Sequence, residues 1–330
     1  MAARCAVFSC VGEEVGWGPI RHLTELAARC LGARHHVVPT RWTDRLRTRL
    51  SGAGAADVAL AFSAGPGQLR AILRDPRFGR GRALRIAWIV DSFWTERVPK
   101  GALERFDLVV YMQGYDRGFY ETACRGRCLY LPWGTDALAL GSDRAGRAVD
   151  LMRVGRQPGA WDDDARSAAA AARHGLVFAG RPPRTLSHRD LMGVYATARY
   201  VLAFSNLAAG APYTHPAKAY YTGRWLDALA CGASVAGIPP AGDAGLHAML
   251  WPEALVTFDA IDPEDNLRVL ARARAGWTGR RARLNHAGAL RHLDWRWRLA
   301  ELARTLGIRP PALAAELAAL EGRLAARAGP

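Results

Sequence analysis

Three side chains within one short stretch could handle a phosphorylated ligand that also carries hydroxyls. They are Thr222, Arg224 and Asp227, in the run YYTGRWLDALACGASVAGIP that spans 220–239. The run predicts a helix opened by Thr222, closed by Gly232 and followed by a short apolar strand over 234–238. A threonine hydroxyl at the N-cap can accept from an orphan backbone N–H. The amides of the first turn, beginning at Gly223, then favour a phosphate. Arg224 adds a planar cation whose fork matches phosphate oxygens. Asp227, one turn further along, could accept hydrogen bonds from sugar or ribose hydroxyls.

In open parallel sheets, ligands bind beyond the carboxyl ends of the strands, so the residues that follow each apolar run carry the most information. Gly155-Arg156, Gly180-Arg181 and Ser205-Asn206 fall at such positions. Cations after two strands suit a pyrophosphate; the plainer alternative is that Arg156 and Arg181 are two of many arginines. The loop over 205–219 adds His215, which could touch a sugar or be an ordinary solvated histidine, and Lys218, a further cation. Earlier in the chain Asp91 follows the apolar run RIAWIV. A carboxylate there could act as general base on an acceptor hydroxyl, or serve as a turn residue. Glu13 and Glu14 are its rivals, in a loop that Gly12 and Gly16 would let approach a ligand closely. Trp17, Trp94 and Trp133 could form a stacking platform for an acceptor. The triplet Asp162, Asp163 and Asp164 sits at a helix start, where acids favour the dipole, so no metal and no other cofactor is expected.

The elements that must position these groups alternate short apolar runs with helical periodicity, the pattern of parallel sheets with crossover helices. Strands are expected over 6–11, 36–39, 58–62, 85–90, 108–111 and 128–132, then over 149–154, 176–179, 200–204, 234–238 and 255–258. Helices are expected over 20–31, 167–174 and 188–197, and from 263 onward, with Pro310-Pro311 as a break. This divides the chain into a first half over 1–140, a second half over 141–308 and a helical tail over 309–330.

At 330 residues, half of them hydrophobic, the chain supports two packed domains. The net charge of +15 is carried almost wholly by arginine, Lys100 and Lys218 being the only lysines. Its arginines are spread along the chain among acids, so nucleic acid is not the expected partner. An anionic substrate or an anionic lipid surface fits better, because neither needs a dedicated motif. The six cysteines lack paired zinc spacing, and the N-terminus reads directly into a strand without a basic, apolar leader. A cytoplasmic protein with reduced thiols is the expectation.

The order RAVDLMRVGRQP, GLVFAGRPP, YVLAFSN and TGRWLDALACGASV resembles the nucleotide-binding half of GT-B glycosyltransferases. The segment LPWGTD at 131–136 is similar to the turn that leads from the acceptor half into the donor half of such enzymes. Asp294-Trp295-Arg296 resembles an element near the C-terminus of small bacterial group-one glycosyltransferases related to spore-coat maturation proteins. The resemblance implies an α/β chain of two Rossmann-like parallel-sheet domains facing a cleft, with C-terminal helices. It implies transfer of a sugar from a nucleotide-sugar donor to an acceptor, with Gly155-Arg156 on the donor diphosphate and Asp227 at the position of a family glutamate. Two departures stand beside it. The partner glutamate position falls on Ala219, and no lysine follows Arg156 within 157–162, leaving Lys218 or Arg181 to replace it. A sugar-nucleotide epimerase of the same fold and a non-catalytic basic binding protein are the alternatives.

Overall fold

The computed structural model describes residues 3–10, 17–39, 56–81, 83–212 and 214–328. Its contacts divide the chain into two units, Met1–Trp133 with Arg296–Glu321, and Gly134–Trp295 with Gly322–Pro330. Among the described residues, no helix is long and apolar enough to cross a membrane.

The first unit is built on a six-stranded parallel sheet. Its strands are β1 (Cys5–Ser9), β2 (Arg34–Val37), β3 (Val58–Ser63), β4 (Leu84–Ile89), β5 (Leu108–Tyr111) and β6 (Cys128–Tyr130), in the order β2-β1-β3-β4-β5-β6. Every residue of β1 and β3 is buried, as expected of central parallel strands covered on both faces. Phe8, Ala61, Ile89, Phe106 and Tyr120 lie in one apolar cluster of this unit.

The second unit carries β7 (Val149–Arg153), β8 (Phe178–Ala179), β9 (Ala198–Phe204), β10 (Ser234–Ile238) and β11 (Leu255–Thr257), all parallel, in the order β11-β10-β9-β7-β8. Leu151, Trp161, Leu202 and Phe258 pack together in its core. Both sheets therefore reverse their winding after the second strand. The switch points lie between β1 and β3 and between β7 and β9, and a crevice opens at such points in doubly wound sheets. These are the two Rossmann-like layers expected from the sequence.

The contact units divide after Trp133, and 296–321 belongs to the first of them. The reason is local bonding. Arg298 donates to the carbonyls of Pro132 and Trp133, each at 3.3 Å, and Arg296 Nε donates to Glu316 Oε2 at 2.6 Å. The turn over 134–136, by contrast, is fastened within the second unit. Thr135 N donates to Leu293 O at 2.9 Å and Trp295 N donates to Thr135 O at 3.0 Å, forming a bridge between Thr135 and Asp294. The two family-like segments around 131–136 and 294–296 thus meet through backbone hydrogen bonds.

Gly134 is held closely there. A Cβ at this position would lie 2.8 Å from both Leu293 O and the Trp295 ring. Gly134→Ala should destabilise the protein by about 1–3 kcal/mol, the usual cost of overpacking. Thermal melting of the variant checks this, and an unchanged midpoint would refute it.

Candidate functional site

The loops that flank the switch point of the second sheet hold the donor-side candidates. Gly155 follows β7 in the left-handed region, with φ of +66°, and a Cβ there would lie 2.6 Å from Arg224 Nη2. Only glycine both adopts that backbone and admits the guanidinium. Arg224 Nη1 donates to Arg156 O at 3.2 Å, and Arg156 Nε donates to Ala209 O at 2.6 Å. The Arg156 side chain therefore ties the loop after β7 to the loop after β9, across the switch point. Arg224 lies in the first turn of the helix Gly223–Ala230, so its guanidinium, the backbone of Gly155-Arg156 and the N-terminal amides of that helix occupy one corner of the unit. That corner is suited to a dianionic phosphate.

Thr222 departs from its expected role. Its backbone is extended, as an N-cap requires, but its hydroxyl makes no capping bond; its carbonyl accepts from Trp225 N at 3.1 Å instead. The closing Gly232 has φ of +78° and its N–H donates to Leu229 O, as a helix C-terminus requires.

Asp227 departs further. It is buried, and its two carboxylate oxygens are held inside the protein. Thr135 Oγ1 donates to Oδ1 at 2.7 Å, and His188 Nε2 lies 3.0 Å from Oδ2. A hydroxyl-bearing ligand would have to share oxygens that already have partners. His188 begins the helix His188–Tyr195, whose N-cap Ser187 accepts from Asp190 N. Burial opposes the charged form of His188, but the charge and hydrogen bond of Asp227, with the charge of Asp136, outweigh it and raise its pKa above the usual histidine range. Sequence reasoning missed this histidine, which stands 39 residues from its partner.

The loop after β9 is pinned from within. Asn206 is buried; its Nδ2 donates to His215 O at 3.2 Å and Lys218 O at 2.9 Å, and its Oδ1 accepts from Tyr220 N at 3.2 Å. His215, expected as a solvated or sugar-touching loop residue, is buried, and its Nδ1 accepts from Ala217 N and Lys218 N at 3.1 and 3.0 Å. Ser205 is also buried, and its Oγ accepts from Leu207 N at 3.3 Å. These residues shape the loop that meets Arg156. Lys218 is half-buried at its end.

Arg181 is exposed after β8. Its N–H donates to Asp164 Oδ2 at 3.0 Å, and its guanidinium lies 3.6 Å from Asp162. The acidic triplet has structural partners. Asp163 caps the helix Asp164–Arg173, and Asp162 and Asp164 both pair with the buried Arg153. Arg147 is a further buried cation that sequence reading did not single out. It donates to Ala198 O at 2.6 Å and Cys231 O at 2.7 Å, and burial lowers its pKa to about 10. Its bond to Cys231 O satisfies a carbonyl at the C-terminus of the helix Gly223–Ala230.

On the first unit, Asp91 lies just past β4, where Val90 N and Asp91 N donate to Ser63 O and Ala64 O at 2.9 and 2.7 Å. It is half-buried by surface area, yet deep enough beneath surrounding protein that desolvation alone raises its carboxyl to about 7. The next residue anchors the turn. Ser92 Oγ accepts from Met112 N at 3.0 Å, and Tyr120 Oη donates to Ser92 O at 2.8 Å. A rigidly mounted carboxylate that titrates near neutrality is suited to exchanging a proton. Glu13 and Glu14, with Gly12 and Gly16, lie outside the described residues. Of the expected aromatic platform, Trp94 and Trp133 are buried, and Arg97 is stacked 3.2 Å over the Trp94 ring. Trp17 is half-buried at the start of the helix Gly18–Cys30. The three rings are not an open stacking surface.

No protein-family model matches the chain, and no curated protein matches it in sequence. Solved structures match its fold along nearly the whole length. HepE of Anabaena, crystallised with UDP-glucose, is 12% identical over 92% of this chain and 99% of its own, with a TM-score of 0.53. AviGT4, a glycosyltransferase involved in avilamycin A biosynthesis, is 14% identical over 98% of each chain, with a TM-score of 0.54. An alpha-glucosyltransferase in complex with UDP and DNA is 10% identical over 92% and 98%, with a TM-score of 0.57. The chain has the fold of the GT-B glycosyltransferases.

Proposed function

We propose that this protein transfers a sugar from a nucleotide-sugar donor to an acceptor hydroxyl. The observation that carries the reading is the cationic corner at the switch point of the second sheet, made by Gly155, Arg156, Arg224 and the N-terminus of the helix Gly223–Ala230. Among neighbours of the same fold, AviGT4 is described as a glycosyltransferase and HepE was crystallised with UDP and with UDP-glucose. By analogy, this chain's donor would be a nucleoside diphosphate sugar, its diphosphate on Arg156 and Arg224 with Arg181 and Lys218 as flanking cations. Arginine and helix amides would balance the charge of the leaving diphosphate without a metal ion. The acceptor would bind the first unit, where Asp91 takes the proton as its hydroxyl oxygen attacks the anomeric carbon. Six free thiols, five of them buried, suit a reducing, cytoplasmic compartment.

Arg224→Ala should weaken binding of a nucleoside diphosphate by about 1.5–3 kcal/mol, the worth of a charged hydrogen bond. Calorimetric titration with UDP and the other nucleoside diphosphates measures it. Binding unchanged in a folded variant would remove the donor site from this corner.

A further inference from the structure

We infer that the outer face of the helix Gly279–Gly288, continued by the turn Ala289–Leu293, docks on an anionic lipid bilayer. Between 276 and 293 the sequence holds four arginines and no aspartate or glutamate. Folding sorts them. Arg281 is turned inward, its Nη1 donating to Glu253 O at 3.3 Å. Arg280, Arg283 and Arg291 are exposed, share one helical face by their spacing, and form no ion pair among the described residues. Elsewhere in this unit exposed arginines divide between paired ones, such as Arg268 with Asp265 and Arg274 with Asp150, and dispersed ones such as Arg166 and Arg184; on this helix three lie together on one face.

The opposite face is anchored. Asn285 Nδ2 donates to Ser234 Oγ at 2.9 Å, and His286 Nδ1 lies 2.6 Å from Ala230 O. Burial lowers the pKa of His286 to about 4, so it stays neutral and adds nothing to the outer charge near neutrality. The outer face is therefore a rigid row of cations fixed to the fold.

Two observations favour lipid over nucleic acid. Leu284 is 40% exposed in the middle of the arginine row, an apolar side chain that can enter the headgroup boundary but has nothing to meet on a phosphodiester backbone. Among the described residues, the face also presents no exposed aromatic ring on which a base could stack. The net charge of +15 adds long-range attraction to an anionic leaflet.

Co-sedimentation with vesicles of phosphatidylcholine containing phosphatidylglycerol tests this at about 0.1 M salt, where screening reaches about 10 Å. The full chain should bind these vesicles and not pure phosphatidylcholine. R280Q/R283Q/R291Q should lose at least about tenfold in affinity, given the usual worth of each cation near such a surface. Leu284→Ser, with the charges intact, should weaken vesicle binding while leaving any binding to duplex DNA unchanged. Circular dichroism and UDP titration of both variants monitor folding and the donor corner separately. Equal binding of the triple variant and the parent protein would overturn the inference, as would a loss that falls on DNA alone.

Discussion

Replacing Asp227 with alanine should cost about 3–5 kcal/mol of stability at pH 6, the penalty for leaving one member of a buried ion pair behind. Asp227 is buried, with Thr135 donating at 2.7 Å and His188 at 3.0 Å. The pH dependence carries the argument. Burial alone would push His188 down, but the pairing raises its pKa above the unfolded value. A histidine raised in this way adds stability that is fully present below its unfolded pKa and lost as pH rises through the folded one. In Asp227→Ala the raising partner is gone and burial remains, so charging His188 at low pH opposes folding. The gap between parent and variant should therefore be widest near pH 6 and narrow by pH 8. Urea unfolding at both values measures it; a gap independent of pH would mean that His188 is not the charged partner.

The alternation of apolar runs and helical periods was enough to read two parallel sheets, because strands such as β1 and β3 are buried on both faces and appear as continuous hydrophobic segments. The candidates after β4, β7 and β9 were legible for the same reason, since the end of an apolar run marks the carboxyl end of a strand. What a residue does after the turn was not legible. Asp227 and Thr135 are separated by 92 positions, and no local pattern foretells that a threonine in LPWGTD will hold the carboxylate of a later helix. Ser187 and Asp190 mark a helix start, but nothing near His188 announces a buried partner. Asn206 and His215 looked like loop polar groups open to a ligand. They became internal staples because a long loop must satisfy its own backbone donors and acceptors when it is buried. The dispersed arginines concealed a further sorting. Arg147 and Arg153 went inside to carbonyls and acids, while Arg280, Arg283 and Arg291 stayed outside.

Asp91→Asn should lower turnover by about 100-fold or more, within the usual contribution of a general base, while leaving nucleoside diphosphate binding intact. Asparagine keeps the shape and cannot take a proton, so the loss isolates the chemistry from the fold. Desolvation raises the Asp91 carboxyl to about 7. Its active, ionised form thus accumulates as pH rises, and the acidic limb of the parent's activity profile should bend near that value and vanish in the variant. Stability should move the other way. A carboxyl raised in the folded state binds its proton more tightly there, so folding loses stability as pH rises from the unfolded value toward the folded one, and the penalty persists above it. Asparagine carries no such penalty, so the variant should be more stable than the parent at pH 8 and about equal to it near pH 4. A carboxylate kept only for a turn would give no such opposition between activity and stability, whereas one kept for chemistry at the cost of folding would. Near-normal turnover in a stabilised variant would pass the role of base to Glu13 or Glu14.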